Sequence, residues 1–365
     1  FKHMGERGHF YPLETDTQEK LLRLGAERFG WAEKRRRNKS DGPLRHGIGL
    51  ANYFDVSGGQ PFERFDRMME MKLNDDGTIV AIFNHPDGGM NLLGTLAQIA
   101  AESLGVRYED ISFVTDSTKG KLFDVGMAAN SGLYTLGNVL IKTAASLKRN
   151  ILAEAARQLK GKADALDLRD RSVVRVDTGK PVLSLLDLAR NAVNGHGEAS
   201  RAIGAMEAYR PEANPNPFGS VFADVTVDIE TGEVKIQKII LVHDIGRAIN
   251  PLTVEGQLEG GIALGIGYAL FEDAAIDPRS GATRGVNFNS YRLPTTFEVP
   301  EIDVVLYEEP TPSGPFGGKG VGMCGPHAIA PAVANAIFDA VGVRISELPL
   351  TPERVLAAIK AKRPL

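Results

Sequence analysis

A single cysteine, Cys324, is all the thiol chemistry this chain of 365 residues possesses. That excludes an intrachain disulfide. It also argues against an iron–sulfur cluster or structural zinc held by this chain alone, since such sites need several thiolates or histidines. Charge of one sign is lacking too: 42 Lys and Arg face 46 Asp and Glu, a formal net charge of −4. No global basic field points to nucleic acid. The one basic run, Lys34-Arg35-Arg36-Arg37-Asn38-Lys39, reads as a solvated helix end or linker. No apolar run approaches the ~20 residues of a membrane span. No leader is visible and the first residue is Phe, so the expected start lies upstream and a cytoplasmic location is the default expectation.

What is present is glycine, 40 residues of it, and a composition of 43% hydrophobic and 24% charged residues. This is the makeup of a soluble globular chain long enough for a large core without staples. A helical pattern over residues 12–32 places Leu21, Leu22, Leu24, Phe29 and Trp31 near helical spacing. Ser40-Asp41-Gly42-Pro43 reads as a linker. Strands are expected over Gly47–Phe54, Phe62–Leu73 and Thr78–Asn84, then a helix over Leu92–Leu104 closed by Gly105. A strand at Asp110–Thr115 and a long helix at Tyr134–Gln158 follow. Residues 161–216 read as polar and irregular. A hairpin, Phe222–Ile229 with Val234–Val242, turns around Glu230-Thr231-Gly232-Glu233. Two small-residue helices, Gln257–Phe271 and His327–Ala340, complete the chain. Paired strands with helices after them predict an α+β fold of repeated strand-pair/helix units rather than a doubly wound sheet. The expected division is a helix and linker (1–45), a first α+β subdomain (46–200) and a second (201–365).

Four glycine-bearing loops stand at expected helix starts. They are His85-Pro86-Asp87-Gly88-Gly89-Met90-Asn91, then Asp124–Gly132 with Ala128-Ala129-Asn130, then Val254–Gly261 with Gln257, and finally Gly314–Gly325. Glycine lets backbone N–H groups approach an anion, and a helix N-terminus adds partial positive charge. Each loop alone is also ordinary turn chemistry. The fourth is the densest, with Gly314, Gly317, Gly318, Gly320 and Gly322. Gly318-Lys319-Gly320 lacks the Ser or Thr of a P-loop, and no dinucleotide fingerprint or serine-hydrolase elbow is present. His85, His243 and His327 are isolated and read as structural. Asp87 reads as a cap of the following helix or as an acid–base group.

Several stretches closely resemble the molybdenum hydroxylases of the xanthine dehydrogenase/aldehyde oxidoreductase family. They are Val242–Pro251 (Val-His-Asp-Ile-Gly-Arg-Ala-Ile-Asn-Pro), Val254–Gly261, Gly314–Gly322, and the tail stretches Gly342-Val343-Arg344 and Glu347–Pro352. The resemblance is to the C-terminal half of the molybdopterin-binding subunit, as in the split molybdenum subunit of nicotinate dehydrogenase-type enzymes. It implies an oxidoreductase that hydroxylates an aldehyde or N-heterocycle with water-derived oxygen. It implies a molybdopterin cofactor with Mo, in the cytosine dinucleotide form if the source is bacterial. The implied partners are a second molybdopterin-binding chain supplying the N-terminal half, a [2Fe–2S] subunit and often an FAD subunit.

Carried over by position, Gln257 matches the glutamine that hydrogen-bonds the pterin, and Lys319-Gly320-Val321-Gly322 the loop beside the metal. Gly88, Gly89 and Met90 fall in the first cofactor loop, and Ala128, Ala129 and Asn130 in the second. Three departures stand out: Met90 replaces a glutamine, Asn130-Ser131-Gly132 replaces a Ser-Arg-Thr-type run, and Met323 replaces the catalytic glutamate. Met323 and Cys324, at and beside that position, are therefore the candidate catalytic residues. A thioether cannot act as a general base. The alternative is a non-catalytic paralogous scaffold subunit of such a complex.

Overall fold

The computed structural model describes the chain apart from residues 1, 5–9, 37–41, 59–65, 118, 121, 196–199, 212, 284 and 362–365. Part of the expected linker at Ser40-Asp41 and the start of the strand expected from Phe62 lie outside the described residues. In chain order, strands β1 (Lys2–Met4) and β2 (Phe10–Pro12) pair antiparallel. Helices α1 (Gln18–Phe29) and α2 (Trp31–Arg36) follow, then β3 (Leu44–Phe54), β4 (Arg67–Leu73) and β5 (Ile79–Phe83). Next come α3 (Leu92–Leu104), β6 (Ile111–Thr115) and α4 (Ser131–Gln158). Strands β7 (Leu166–Arg169), β8 (Ser172–Arg175) and β9 (Pro181–Ser184) precede α5 (Leu185–Asn194) and β10 (Gly204–Tyr209). The remainder is β11 (Phe218–Asp228), β12 (Val234–Asp244), α6 (Pro251–Leu270), β13 (Glu301–Tyr307), α7 (Ile329–Val341) and α8 (Pro352–Ala361).

The chain divides into two compact units, each assembled from three separate segments. The first holds residues 1–14, 56–216 and 310–320; the second holds 15–55, 217–309 and 321–365. Each has a four-stranded sheet at its centre, ordered β10-β4-β5-β6 in the first and β3-β11-β12-β13 in the second.

In the first unit the hairpin β4–β5 is antiparallel, α3 leads to β6 parallel to β5, α4 follows, and β10 closes the outer edge antiparallel to β4. In the second, β11–β12 is the antiparallel hairpin, α6 leads to β13 parallel to β12, α7 follows, and β3 lies antiparallel to β11. The expected α+β strand-pair/helix unit is thus present twice with one wiring.

Local sequence explains the boundaries. Thr78 and Asp76 close the β4–β5 turn around Gly77, whose φ is 81°. Gly105 and Gly342 end α3 and α7 in the left-handed conformation, each donating its N–H to the last turn. Helix α6 begins at Pro251, six residues before the expected start, because proline suits the first helical turn. The stretch expected to be irregular contains the antiparallel sheet β7-β8-β9 and helix α5, capped by Ser184 Oγ accepting from the Asp187 N–H at 3.0 Å. Its strands are four residues each, and β7 and β8 carry charges, too short to print an alternation.

The first core packs Met69, Met71, Ile79 and Phe83 of the sheet with Leu96 and Ile99 of α3 and Leu136 and Leu140 of α4, all buried. The second packs Val221, Ala223, Val225 and Leu241 with Leu258, Ile262 and Ile266 of α6 and Ile329, Val333 and Ile337 of α7. Helix α7 lies very close to β3. A Cβ on Gly47 would come 2.1 Å from the Ala336 carbonyl oxygen, and one on Gly49 would come 2.0 Å from that of Ala332. The basic run ends α2 and is paired: Lys34 with Asp224 and Arg35 with Asp339, while residues 37–39 lie outside the described residues. Among the described residues no helix is long and apolar enough to cross a membrane.

Candidate functional site

The equal wiring gives three of the four glycine loops a common address. Loop one joins β5 to α3, loop two joins β6 to α4, and loop four joins β13 to α7, while the third begins within the first turn of α6, after β12. Loops one, two and four lie at βα connections, where strand carbonyl ends meet helix N-termini and backbone N–H groups collect, whereas the third lies within α6 itself. The backbone there is unusual. Of the non-glycine residues with positive φ, Asn91, Ala129, Asn130 and Phe316 belong to loops one, two and four, and Ala328 follows loop four. Asn91, Asn130 and Ala328 immediately precede α3, α4 and α7. Such conformations cost about 1–3 kcal/mol each for residues other than Gly and Asn, and they concentrate where a loop must present its backbone to something. Gly88, Gly89, Gly126 and Gly322 also have positive φ.

Within the first unit, loops one and two meet. A Cβ on Gly88 would lie 2.3 Å from Met127 Cε and 3.5 Å from Met90 Cε. Asp87 Oδ1 accepts the Leu93 N–H at 2.9 Å, so this carboxylate caps α3. Loops two and four also touch: a Cβ on Gly320 would stand 1.9 Å from the Asn130 carbonyl oxygen. Only glycine allows that approach. Asn130 Nδ2 donates to the Val56 carbonyl at 3.0 Å. Asn214 Oδ1 accepts the N–H groups of Ser57 and Gly58 at 3.1 and 2.9 Å. Lys319 is fully buried, its Nζ donating to the Asn216 carbonyl at 2.9 Å. That ammonium points into the protein's own backbone, as a strut of the loop.

Behind loops one and two lies a buried charge cluster that sequence reading missed. Arg67, on β4, is completely buried. Its guanidinium pairs with Asp124 and donates to the Gly126 carbonyl at 2.8 Å and to Thr135 Oγ1 at 3.1 Å. His85 Nδ1 lies 3.0 Å from Arg67 Nη1 and 3.1 Å from Asp124 Oδ1. His85 Nε2 is buried with no hydrogen-bond partner among the described residues, and a Cβ on Gly132 would lie 3.8 Å from it. Burial pushes the Asp124 carboxyl up, but the bonds from His85 and the Arg67 guanidinium win and hold it below the usual carboxylate range. Burial lowers Arg67 from its ordinary value, against the pull of Asp124. An arginine in an alternating strand looks solvent-facing in sequence, so only the burial of both partners reveals the cluster.

Within the second unit, loops three and four meet. Gln257 Nε2 donates to the Gly322 carbonyl at 2.7 Å. A Cβ on Gly261 would approach Gly325 Cα to 2.6 Å, so the start of α6 and the end of loop four are held by bare backbone contact. Val321 and Gly322 are half-buried, and Met323 is 57% exposed. Cys324 beside it is fully buried. Burial, and then neighbouring Asp55, push its thiol well above the usual range. Exposed or part-exposed in loops one and two are Gly88, Gly89, Met90, Ala128, Ala129 and Asn130. A Cβ on Gly89 or Gly126 in the first unit, or on Gly256 or Gly260 in the second, would meet nothing within 4 Å.

Comparison with known proteins identifies the family and the fold. Residues 24–300 match the family model of the molybdopterin cofactor-binding domain. The chain is 36% identical over 338 residues to the xanthine dehydrogenase molybdenum-binding subunit of Escherichia coli O157:H7, covering 92% of this chain and 45% of that protein. It is 28% identical over 333 residues to the nicotine 6-hydroxylase large subunit of Paenarthrobacter nicotinovorans, covering 86% of this chain and 40% of that protein. Among solved structures, quinoline 2-oxidoreductase from Pseudomonas putida 86 superposes with a TM-score of 0.83 at 25% identity, covering 100% of this chain and 48% of that one. The Cu,Mo-CO dehydrogenase shares the fold at a TM-score of 0.84, covering 97% of this chain and 47% of that one. The chain therefore spans about half the length of the relatives it matches. By its family match, its paired strand-and-helix units and its glycine loops, this chain belongs to the molybdopterin cofactor-binding domain family of the xanthine dehydrogenase and aldehyde oxidoreductase type.

Proposed function

We propose that this chain supplies the C-terminal half of the molybdopterin-binding module in a multi-subunit oxidoreductase that hydroxylates an aldehyde or N-heterocyclic substrate with water-derived oxygen. The observation that carries the reading is the placing of loops one, two and four at βα connections, together with the open space over Gly89 and Gly126. These glycine surfaces, free of side chains, leave room for a large phosphate-bearing cofactor beside the helix N-termini. The buried Nε2 of His85 adds an unsatisfied polar atom behind loops one and two. In this reading Gln257, Lys319-Gly320-Val321-Gly322, Gly88-Gly89-Met90 and Ala128-Ala129-Asn130 hold the cofactor, and it is taken in the cytosine dinucleotide form. When bound, the molybdenum centre supplies the redox and oxygen-transfer chemistry of the family. The chain's own part is to orient the pterin through Gln257, keep loop four rigid through buried Lys319, and shape the reaction space with exposed Met323.

Met323 supplies no base. A positioned base contributes ~10²–10⁴ in rate, so a carboxylate of the partner chain takes that role in this reading. The proposed partners are a second molybdopterin-binding chain with the N-terminal half, a [2Fe–2S] subunit and, for electron exit, an FAD subunit, all in the cytoplasm. Val286, Phe288 and Phe297 of the second unit support a partner, being 75%, 86% and 93% exposed. Exposed apolar surface is a common feature of partner interfaces.

Metal analysis of the natively purified complex tests the reading. About one Mo or W per chain is expected, with roughly four Fe from two [2Fe–2S] clusters. Gln257→Ala should lower the Mo or W content. Iron without Mo or W would overturn the reading in favour of a non-catalytic scaffold subunit. Met323→Glu should change the native kinetics, either by restoring ordinary hydroxylase behaviour or by abolishing the native reaction. Unchanged kinetics would remove residue 323 from the reaction space.

A further inference from the structure

The second unit carries a side-chain cluster that the molybdopterin reading does not use. Strand β3 ends at Phe54, and the next residue, Asp55, is fixed by its N–H donating to the Pro217 carbonyl at 3.0 Å. Cys324 is fixed likewise, its N–H donating to the Val321 carbonyl at 2.8 Å. His327 follows three residues later. Asp55 Oδ2 lies 4.0 Å from Cys324 Sγ and 3.5 Å from His327 Nδ1. The three side chains offer a sulfur, an imidazole nitrogen and a carboxylate oxygen, all within 4.8 Å of one another.

We infer that Asp55, Cys324 and His327 form a binding site for a divalent cation of borderline softness, Zn(II) above all. A mixed S/N/O donor set suits Zn(II) and not Mg(II) or Ca(II), which take oxygen ligands. Tetrahedral Zn(II) with bonds of ~2.0–2.3 Å sets its donor atoms about 3.3–3.7 Å apart. The His327–Asp55 separation of 3.5 Å matches that range, and the Cys324–Asp55 separation of 4.0 Å must close by a few tenths of an ångström. Three protein ligands leave the fourth position to water. Entry is from the imidazole side, since the His327 side chain is 39% exposed and that of Asp55 21%, against a fully buried Cys324. The Tyr53 ring stands edge-on to His327 at 5.4 Å, and its hydroxyl is held by His243 Nδ1 at 2.9 Å. This braces the imidazole from the protein side. As the metal–sulfur bond forms, the thiol proton leaves to solvent, so binding strengthens with rising pH.

Cys324 belongs to loop four, but the inference stands or fails apart from the molybdopterin reading, because zinc content and affinity are measured separately from Mo or W. The test is zinc content and Zn(II) affinity of the full chain, measured by competition with a chromogenic chelator, alongside substitution with Co(II). Expected are one Zn(II) per chain and a sulfur-to-cobalt charge-transfer band in the near ultraviolet. Cys324→Ser should remove that band, and His327→Ala and Asp55→Asn should each weaken affinity roughly tenfold or more. His327 is partly exposed, so His327→Ala is the variant that decides if Cys324→Ser fails to fold. A chain that retains no Zn(II) from the chelator, or that binds it equally in His327→Ala and Asp55→Asn, would overturn the site and leave an ordinary S–H···O contact with a neighbouring ion pair.

Discussion

Strand β11 of the second unit is buried along nearly its whole length, whereas β4 in the equivalent place of the first unit alternates buried and half-buried residues. The wiring is the same, so the difference comes from what lies on the sheet. In the second unit α7 covers one face and α1 packs against β11 and β12. A strand enclosed on both faces loses its alternation and becomes a run of Phe, Val and Ala. In the first unit the helices α3 and α4 cover one face, and β4 uses an inward position for Arg67 rather than for a hydrophobe. Both units hold their loops by close glycine contact, but the first adds a buried ion pair behind them and the second rests on an apolar core.

That contrast is broken most severely by Arg67→Met. Removing one partner of a buried pair leaves Asp124 uncompensated, which costs about 3–5 kcal/mol. Hydrogen exchange read by mass spectrometry should show lost protection across residues 67–158 and little change across 218–270. Equal loss in both units would mean that the pair stabilises the whole chain and not one unit. The same cluster has a pH signature. Asp124 is held below the ordinary carboxyl value of 3.8 in the folded state, so the stability it contributes is present above that value and is lost as pH falls through the lower folded value. Thermal melts in acid should therefore steepen below about pH 4 in the wild type and flatten in Asp124→Asn. An unchanged acid limb would mean that Asp124 contributes nothing to acid sensitivity.

The second unit is broken by a different change, Gly47→Ala. The new methyl meets the Ala336 carbonyl of α7 and cannot be accommodated by side-chain motion. Overpacking of this kind costs about 1–3 kcal/mol. Loss of protection should here fall on β3 and α7, with the first unit spared. A silent Gly47→Ala would show that the helix stands off the sheet more easily than its small-residue face implies.

Much of this was legible in the sequence. The strand pairs, the long helices and the four glycine loops all print their signals, because turn chemistry and apolar periodicity are local. The family resemblance also rests on local runs, such as His243–Pro251 and Lys319–Gly322. What stayed hidden depends on contacts distant in the chain. Arg67 meets Asp124 and His85 only once β4, loop one and loop two have assembled. Asp55 and Cys324 are 269 positions apart and nothing in either neighbourhood announces the other. The small sheet β7-β8-β9 escaped for another reason: strands of four residues are too short for a period of two to be seen. The close approach at Gly320 was legible only as glycine density, since the partner atom, the Asn130 carbonyl, is backbone.

The smallest expected effect sharpens the role of one residue that sequence left between two readings. Asp87 accepts the Leu93 N–H, one of the donors that helix α3 cannot satisfy internally. As a cap its removal in Asp87→Ala should cost about 1 kcal/mol, seen as a modest fall in melting temperature. Asparagine keeps a side-chain carbonyl at the same reach, so Asp87→Asn should recover most of that loss. An acid–base role obeys the opposite logic, because asparagine preserves the hydrogen bond but cannot exchange a proton at neutral pH. If Asp87→Asn restores both stability and turnover, the carboxylate serves the fold alone. If it restores stability while turnover stays low, loop one contributes a proton-transfer group that Met323 cannot provide, and the first unit carries chemistry as well as structure.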